Sequence, residues 1–217
     1  CAYFLNFLKA ARRLGYETLL LTEETGDEQL RSIIDTGMVD GVALMDVTMN
    51  DPRIELAQLS SIPLISIGHP MNEINVPCID TDFIEMGEMI MQTLCRNGHS
   101  RILFAGGKEI DYERNGGANY LIRLRTSMHD AAARYKIHID EEFTDEDDFD
   151  AAENLLERFI SSENTAIVTQ GGPLFLNNLV AATRQRGMKI PQELSLRSAG
   201  TYTDSIGKRL RIDEFPL

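Results

Sequence analysis

The side chains able to do chemistry are spread along the chain, and their spacing decides what they can do. The four histidines are His69, His99, His129 and His138, and none has a second ligand at metal-site spacing. No metal site is therefore expected. Three cysteines (Cys1, Cys78, Cys95) are too few and too irregularly placed for a disulfide framework or a zinc cage, which points to a reducing compartment. Gly106-Gly107-Lys108 follows an apolar run but lacks the Gly-x-x-x-x-Gly-Lys-Ser/Thr spacing that cradles phosphates. No Gly-x-Ser-x-Gly elbow offers a nucleophile. The acidic stretch 140–150 has no glycine where a calcium loop needs its sharp turn, and reads as a solvated connection capping a helix at Asp150. No catalytic constellation and no cofactor motif emerges, so the chain is expected to bind rather than to catalyse.

The elements that position these residues alternate. Phe4, Phe7, Leu8, Ala11 and Leu14 follow the helical period and stop at Gly15; Leu30, Ile33 and Ile34 do so before Gly37. Further helices are expected over 52–59, 83–95, 120–135, 152–160 and 174–186. Short apolar runs at 18–21, 41–45, 64–67, 101–105, 166–169 and 194–196 read as strands. The methionines Met86 and Met89 read as core filler. Continuously apolar strands separated by amphipathic helices imply an α/β fold with a parallel sheet covered on both faces. Ligands of such sheets sit beyond the carboxyl ends of the strands. The loops after Ile67, Phe104, Thr169 and Leu196 are therefore the ones to follow.

Composition narrows the partners. A chain of 217 residues with 43% hydrophobic side chains can bury a core as one large domain or two small lobes. It holds no run of about 18 apolar residues, so no membrane span is expected, and no signal peptide is visible at its start. Its net charge of −13 would repel the DNA polyanion, so any DNA contact must come from residues outside this chain.

Six segments in order resemble the LacI/GalR regulators. They are Gly37-Met38-Val39-Asp40-Gly41-Val42, Ile62-Pro63-Leu64-Ile65-Ser66-Ile67, Ile79-Asp80-Thr81-Asp82, Asn97-Gly98-His99-Ser100-Arg101-Ile102, the helix opening at Arg123, and the run from Gly187 to Leu196. The resemblance implies a two-lobed periplasmic-binding-protein-like fold. Its first lobe would span 1–98, its second 99–204, with 205–217 crossing back to the first. It also implies a cytoplasmic homodimer that binds a sugar or related metabolite between the lobes. Operator DNA would be read through an N-terminal helix-turn-helix domain not present in this chain.

By the same resemblance the effector contacts are Arg123, Asp82 and His69, with Gln170, Arg197 and Asp204 expected to stand in where the chain departs from the family. A guanidinium at Arg123 suits hydroxyl or carboxylate oxygens, and Arg125 competes for that register. Asp82 can accept from ligand hydroxyls, or simply cap the helix at Phe83, worth about 1 kcal/mol; Asp80 is its weaker alternative. His69 precedes Pro70 and can equally shape a turn. His99 fits a structural Gly-His turn. The chain departs from the family where Gly171 and Gly172 replace a polar pair, and where Ser198, Ala199 and Gly200 replace a Gly-x-Asp. Gln170, Arg197 and Asp204 are the substitutes, and Arg197 hints at an anionic effector or at a core ion pair. A solute-binding protein of a transport system is the alternative reading, and a Rossmann-like enzyme is disfavoured for want of a nucleotide loop.

Overall fold

The computed structural model describes residues 2–22, 27–70, 76–113, 117–201 and 212–216. They form two compact units, Cys1–Thr81 with Arg114–Asn119, and Asp82–Glu113 with Tyr120–Leu217.

The first unit carries helices α1 (Ala2–Arg13), α2 (Asp27–Thr36) and α3 (Pro52–Leu59) and a parallel sheet in the order β1 (Val42–Leu44), β2 (Leu64–Ile67), β3 (Cys78–Ile79). Leu30 of α2 and Ile54 of α3 are buried with Leu44, Val47 and Val76, which is why the apolar period and the short apolar strands coincide in the sequence. Asp51 forks onto Arg53 at 2.8 and 2.6 Å, accepts from the Thr48 amide, and is 2% exposed. A buried carboxylate of this kind persists only because its charge and lone pairs are met. The strand expected at 18–21 does not form. Leu19 and Leu20 are more than half exposed, and among the described residues no neighbouring strand meets their amides and carbonyls.

The second unit holds α4 (Phe83–Arg96), α5 (Asn119–Tyr135), α6 (Phe149–Ile160) and α7 (Pro173–Gln185) around a five-stranded sheet. Its order is β5 (His138–Phe143), β4 (Arg101–Gly106), β6 (Ala166–Thr169), β7 (Ser195–Thr201), β8 (Asp213–Pro216), parallel throughout. Four successive β4 residues, Ile102–Ala105, are buried, as a central strand covered on both faces requires. Leu103 and Ala105 pack with Leu155 and Leu156 of α6 and Leu176 and Leu179 of α7.

Three expectations are revised here. The stretch 140–150 is not one connection. His138–Phe143 is an edge strand whose polar sequence follows from lying at the sheet border, and Asp148, not Asp150, caps α6 by accepting from the Ala151 amide at 2.8 Å. Residues 213–216 do not return to the first lobe, because their backbone pairs with β7; 205–211 lie outside the described residues. Finally, α4 groups with the second unit, although the sequence reading closed the first lobe at Gly98. A Cβ on Gly87 would stand 2.6 Å from Ser127 Oγ, so glycine lets α4 and α5 pack backbone to backbone, and Glu88 bonds Arg134 and Tyr135.

Candidate ligand-binding rim

The carboxyl ends of β4 and β6 bring Tyr112 and Gln170 together. A Cβ on Gly106 would lie 2.7 Å from the Phe143 ring and 3.1 Å from Tyr112, so only glycine lets the chain leave β4 beneath these rings. The following 3-10 turn, Glu109–Tyr112, folds Tyr112 back against the sheet. Its ring centroid lies 6.0 Å from Phe104 and 5.1 Å from Phe143, and it is 4% exposed. Burial pushes its phenol well above the usual range and keeps the hydroxyl a neutral donor. That hydroxyl donates to Gln170 Oε1 at 2.9 Å, while the Gln170 backbone amide donates to the Ala105 carbonyl. With the amide oxygen engaged by Tyr112, the NH₂ is the donor group of the Gln170 side chain.

Gly171 completes this end of β6. Its amide donates to Thr169 Oγ1 at 2.8 Å, and a Cβ there would stand 2.5 Å from the Phe175 ring. The space that a side chain at 171 would take is thus filled by an aromatic ring. Gly172 is different: nothing lies within 4 Å of its Cβ position, and it caps α7 with Pro173 in the first turn.

The two arginines of α5 have different lives. Arg125 forks onto Glu141 at 2.6 and 2.5 Å and lies over the rings of Phe143 (5.3 Å) and Tyr112 (5.9 Å). Burial raises the Glu141 carboxyl, but the bonds from Arg125 and from His129 Nε2 at 2.9 Å outweigh it and hold the carboxyl at about 2. Arg125 is therefore a support for the Tyr112 ring rather than a free fork. Arg123 lies half-buried in the second turn of α5; it does not open the helix, which starts at Asn119.

The other sequence-predicted residues are dispersed. Asp82 is exposed and caps α4, accepting from the Glu85 amide at 2.9 Å. His69, in the first unit, is exposed; its amide donates to Asp80 Oδ2 and its Nδ1 lies 2.7 Å from the Pro70 carbonyl, a turn held by its own ends. Arg197 is buried in β7, paired with Val168 of β6, and lines a cavity with Asn97, His99 and Ser195. Asp204 lies outside the described residues. His99 bonds Thr165 and Ser195, the structural part expected of it. Tyr112, Glu141 and Phe175 were missed, since an aromatic or a lone acid carries no spacing signal; the glycines beside them were the visible trace. Among the described residues no group of three or more His, Cys, Asp or Glu could hold a metal, and no helix is long and apolar enough to cross a membrane.

Comparison with known proteins places this architecture. The family described as periplasmic binding proteins and sugar binding domain of LacI family matches residues 3–202. The HTH-type transcriptional regulator AglR of Rhizobium meliloti (strain 1021) is 28% identical over 187 residues, 80% of this chain and 48% of that protein. Catabolite control protein A of Staphylococcus xylosus is 22% identical over 162 residues, 74% of this chain and 47% of that protein. The chain thus spans about half the length of these relatives. A LacI family transcriptional regulator from Bifidobacterium animalis subsp. lactis DSM 10140 shares the fold, with a TM-score of 0.78, 17% identity, and coverage of 99% of this chain and 89% of that one.

Proposed function

Because the chain belongs to the family of periplasmic binding proteins and LacI-type sugar-binding domains, we propose that it is the effector-sensing core of a bacterial transcription regulator. The observation that carries this reading is the Tyr112–Gln170 pair at the carboxyl ends of β4 and β6, where a doubly covered parallel sheet presents its ligand groups. The Gln170 NH₂ offers hydrogen to an uncharged ligand oxygen, such as a sugar hydroxyl. Arg123 adds a charged donor for hydroxyl or carboxylate oxygens. Asp82 can accept from a ligand hydroxyl with the oxygen not used in its cap, and His69 is a candidate contact in the first unit.

The regulator acts as a cytoplasmic homodimer, reads operator DNA through a helix-turn-helix domain outside these residues, and carries out no chemistry on its effector. Effector binding selects one conformational population, and the coupling to DNA is reciprocal. The family also includes solute-binding proteins; the relatives described above are regulators, which favours the regulator reading. Titration of the full-length regulator with labelled operator, with and without effector, tests it. The proposal requires the operator affinity to shift by the same factor as the effector affinity; an operator affinity unmoved by a bound effector overturns it.

A further inference from the structure

Successive β5 side chains point to opposite faces of the sheet, and the strand uses both faces for ion pairs. Glu142 turns to Arg158 of α6 at 3.1 Å, whereas Glu141 turns to Arg125 of α5. Arg125 donates through Nε to Glu141 Oε1 at 2.6 Å and through Nη2 to Oε2 at 2.5 Å. His129 Nε2 lies 2.9 Å from the same Oε1, so both carboxylate oxygens are engaged. The Arg125 guanidinium also lies 5.3 Å from the centre of the Phe143 ring and 5.9 Å from that of Tyr112, the residue that holds Gln170. A planar, permanently charged fork therefore stands beside the rim and is already closed. It is not sealed in, since the Arg125 side chain keeps 34% of its surface and that of Glu141 keeps 20%. An ion pair this open contributes only modestly to stability. Its place next to the ligand groups calls for a second reason.

We propose that Glu141 is a specificity-determining residue: it withholds Arg125 from the ligand, and so sets the rim for uncharged polyhydroxylated ligands against their acids and phosphates. The inference rests on the reading of the rim as the effector site. An acid beside Tyr112 would have to take the guanidinium from a carboxylate that already holds it at two points. Success would leave the half-buried Glu141 with His129 alone, and an under-satisfied charge is costly. A ligand hydroxyl makes no such demand, because the neutral Gln170 NH₂ can meet it while the pair stays closed. Selectivity of this kind works by penalising the wrong ligand rather than by improving the right one. Glu141→Gln reverses it. The amide gives Arg125 a single neutral oxygen, and the freed fork matches a carboxylate or a phosphate in geometry and charge. Arg123, two residues earlier on α5, faces another side of the helix and is not part of this fork.

The test is an NMR titration of this chain and of Glu141→Gln, following the Arg125 Nε–H and the Gln170 side-chain NH₂. The probes are glucose, glucuronate and inorganic phosphate. In the parent, neither anion should move the Arg125 signal. In Glu141→Gln both should move it saturably, with glucuronate bound about tenfold or more tighter than by the parent. Glu141→Asp keeps the charge and should keep the parent's selectivity, whereas Glu141→Gln combined with Arg125→Gln should lose the gain. A merely structural role would weaken all three probes alike and leave their ratios unchanged. If Glu141→Gln fails to fold, the Arg125 signal of the parent still decides. The proposal is overturned if either anion shifts Arg125 saturably in the parent, if Glu141→Gln gains affinity for neither anion, or if the double variant keeps the gain. An Arg125 signal that responds as expected, with a Gln170 NH₂ that no probe moves in either protein, would count against the rim reading alone.

Discussion

The Tyr112 hydroxyl and the Gln170 amide, 58 residues apart in sequence, meet at 2.9 Å and tie the turn after β4 to the end of β6. Tyr112 is held by Phe104, Phe143 and Arg125, so the amide inherits its orientation from an aromatic cluster. Tyr112→Phe keeps the ring and deletes the bond. The expected cost is about 0.5–1.5 kcal/mol in urea unfolding, with a weaker effector affinity because Gln170 is released to rotate. An unchanged stability would mean the bond contributes nothing.

The two adjacent glycines should respond in opposite ways. Gly171→Ala drives a methyl into the Phe175 ring at 2.5 Å, and is expected to lower stability by about 1–3 kcal/mol. Gly172→Asn meets open space with φ at −63°, and supplies a better helix cap, so its stability should hold or rise by a few tenths of a kcal/mol, roughly. Thermal unfolding of both variants checks the pair.

Acid should find the Glu141 network. The folded carboxyl sits at about 2, below its ordinary 4.5, so its contribution is complete above pH 4.5 and is lost as pH falls toward 2. Glu141→Gln is therefore expected to flatten the stability profile between those two values while costing stability at neutral pH, where Arg125 loses its partner. A variant profile parallel to the parent's across that window would contradict the assignment.

Asp82→Ala removes the cap of α4, with an expected loss of about 1 kcal/mol; Asp82→Asn should restore it, since asparagine caps equally well. Chemical unfolding of the two variants reads this directly.

Much of the fold was legible because helical period and apolar strands recur in order, and because six family-like segments run through the chain. The edge strand His138–Phe143 was not, since three carboxylates in six residues mask its alternation. The segment at 18–21 looked like a strand by composition, yet a strand also needs a neighbour. The site was legible only in outline. Gly171 announced a departure, but its reason is a ring four residues on, and Gln170 gained its meaning from Tyr112, which no local pattern connects to it. Arg197 was expected near the effector because it stands where the chain departs from the family run; its backbone pairs with Val168 inside the sheet, and it lines a cavity with His99 and Ser195.

The most direct test of the sensor reading is a thermal-shift titration of this chain against sugars, sugar phosphates, nucleobases and small carboxylates, repeated with Gln170→Ala and Arg123→Ala. A ligand that binds only the folded state stabilises it by about 2.7 kcal/mol at a hundredfold excess over its Kd. The account predicts a specific upward shift in Tm, measured from each variant's own ligand-free Tm, that both variants diminish; the ligand-free Tm of Gln170→Ala itself falls with the lost Tyr112 bond. A cooperative transition that no compound moves, or a shift that both variants retain in full, would contradict it.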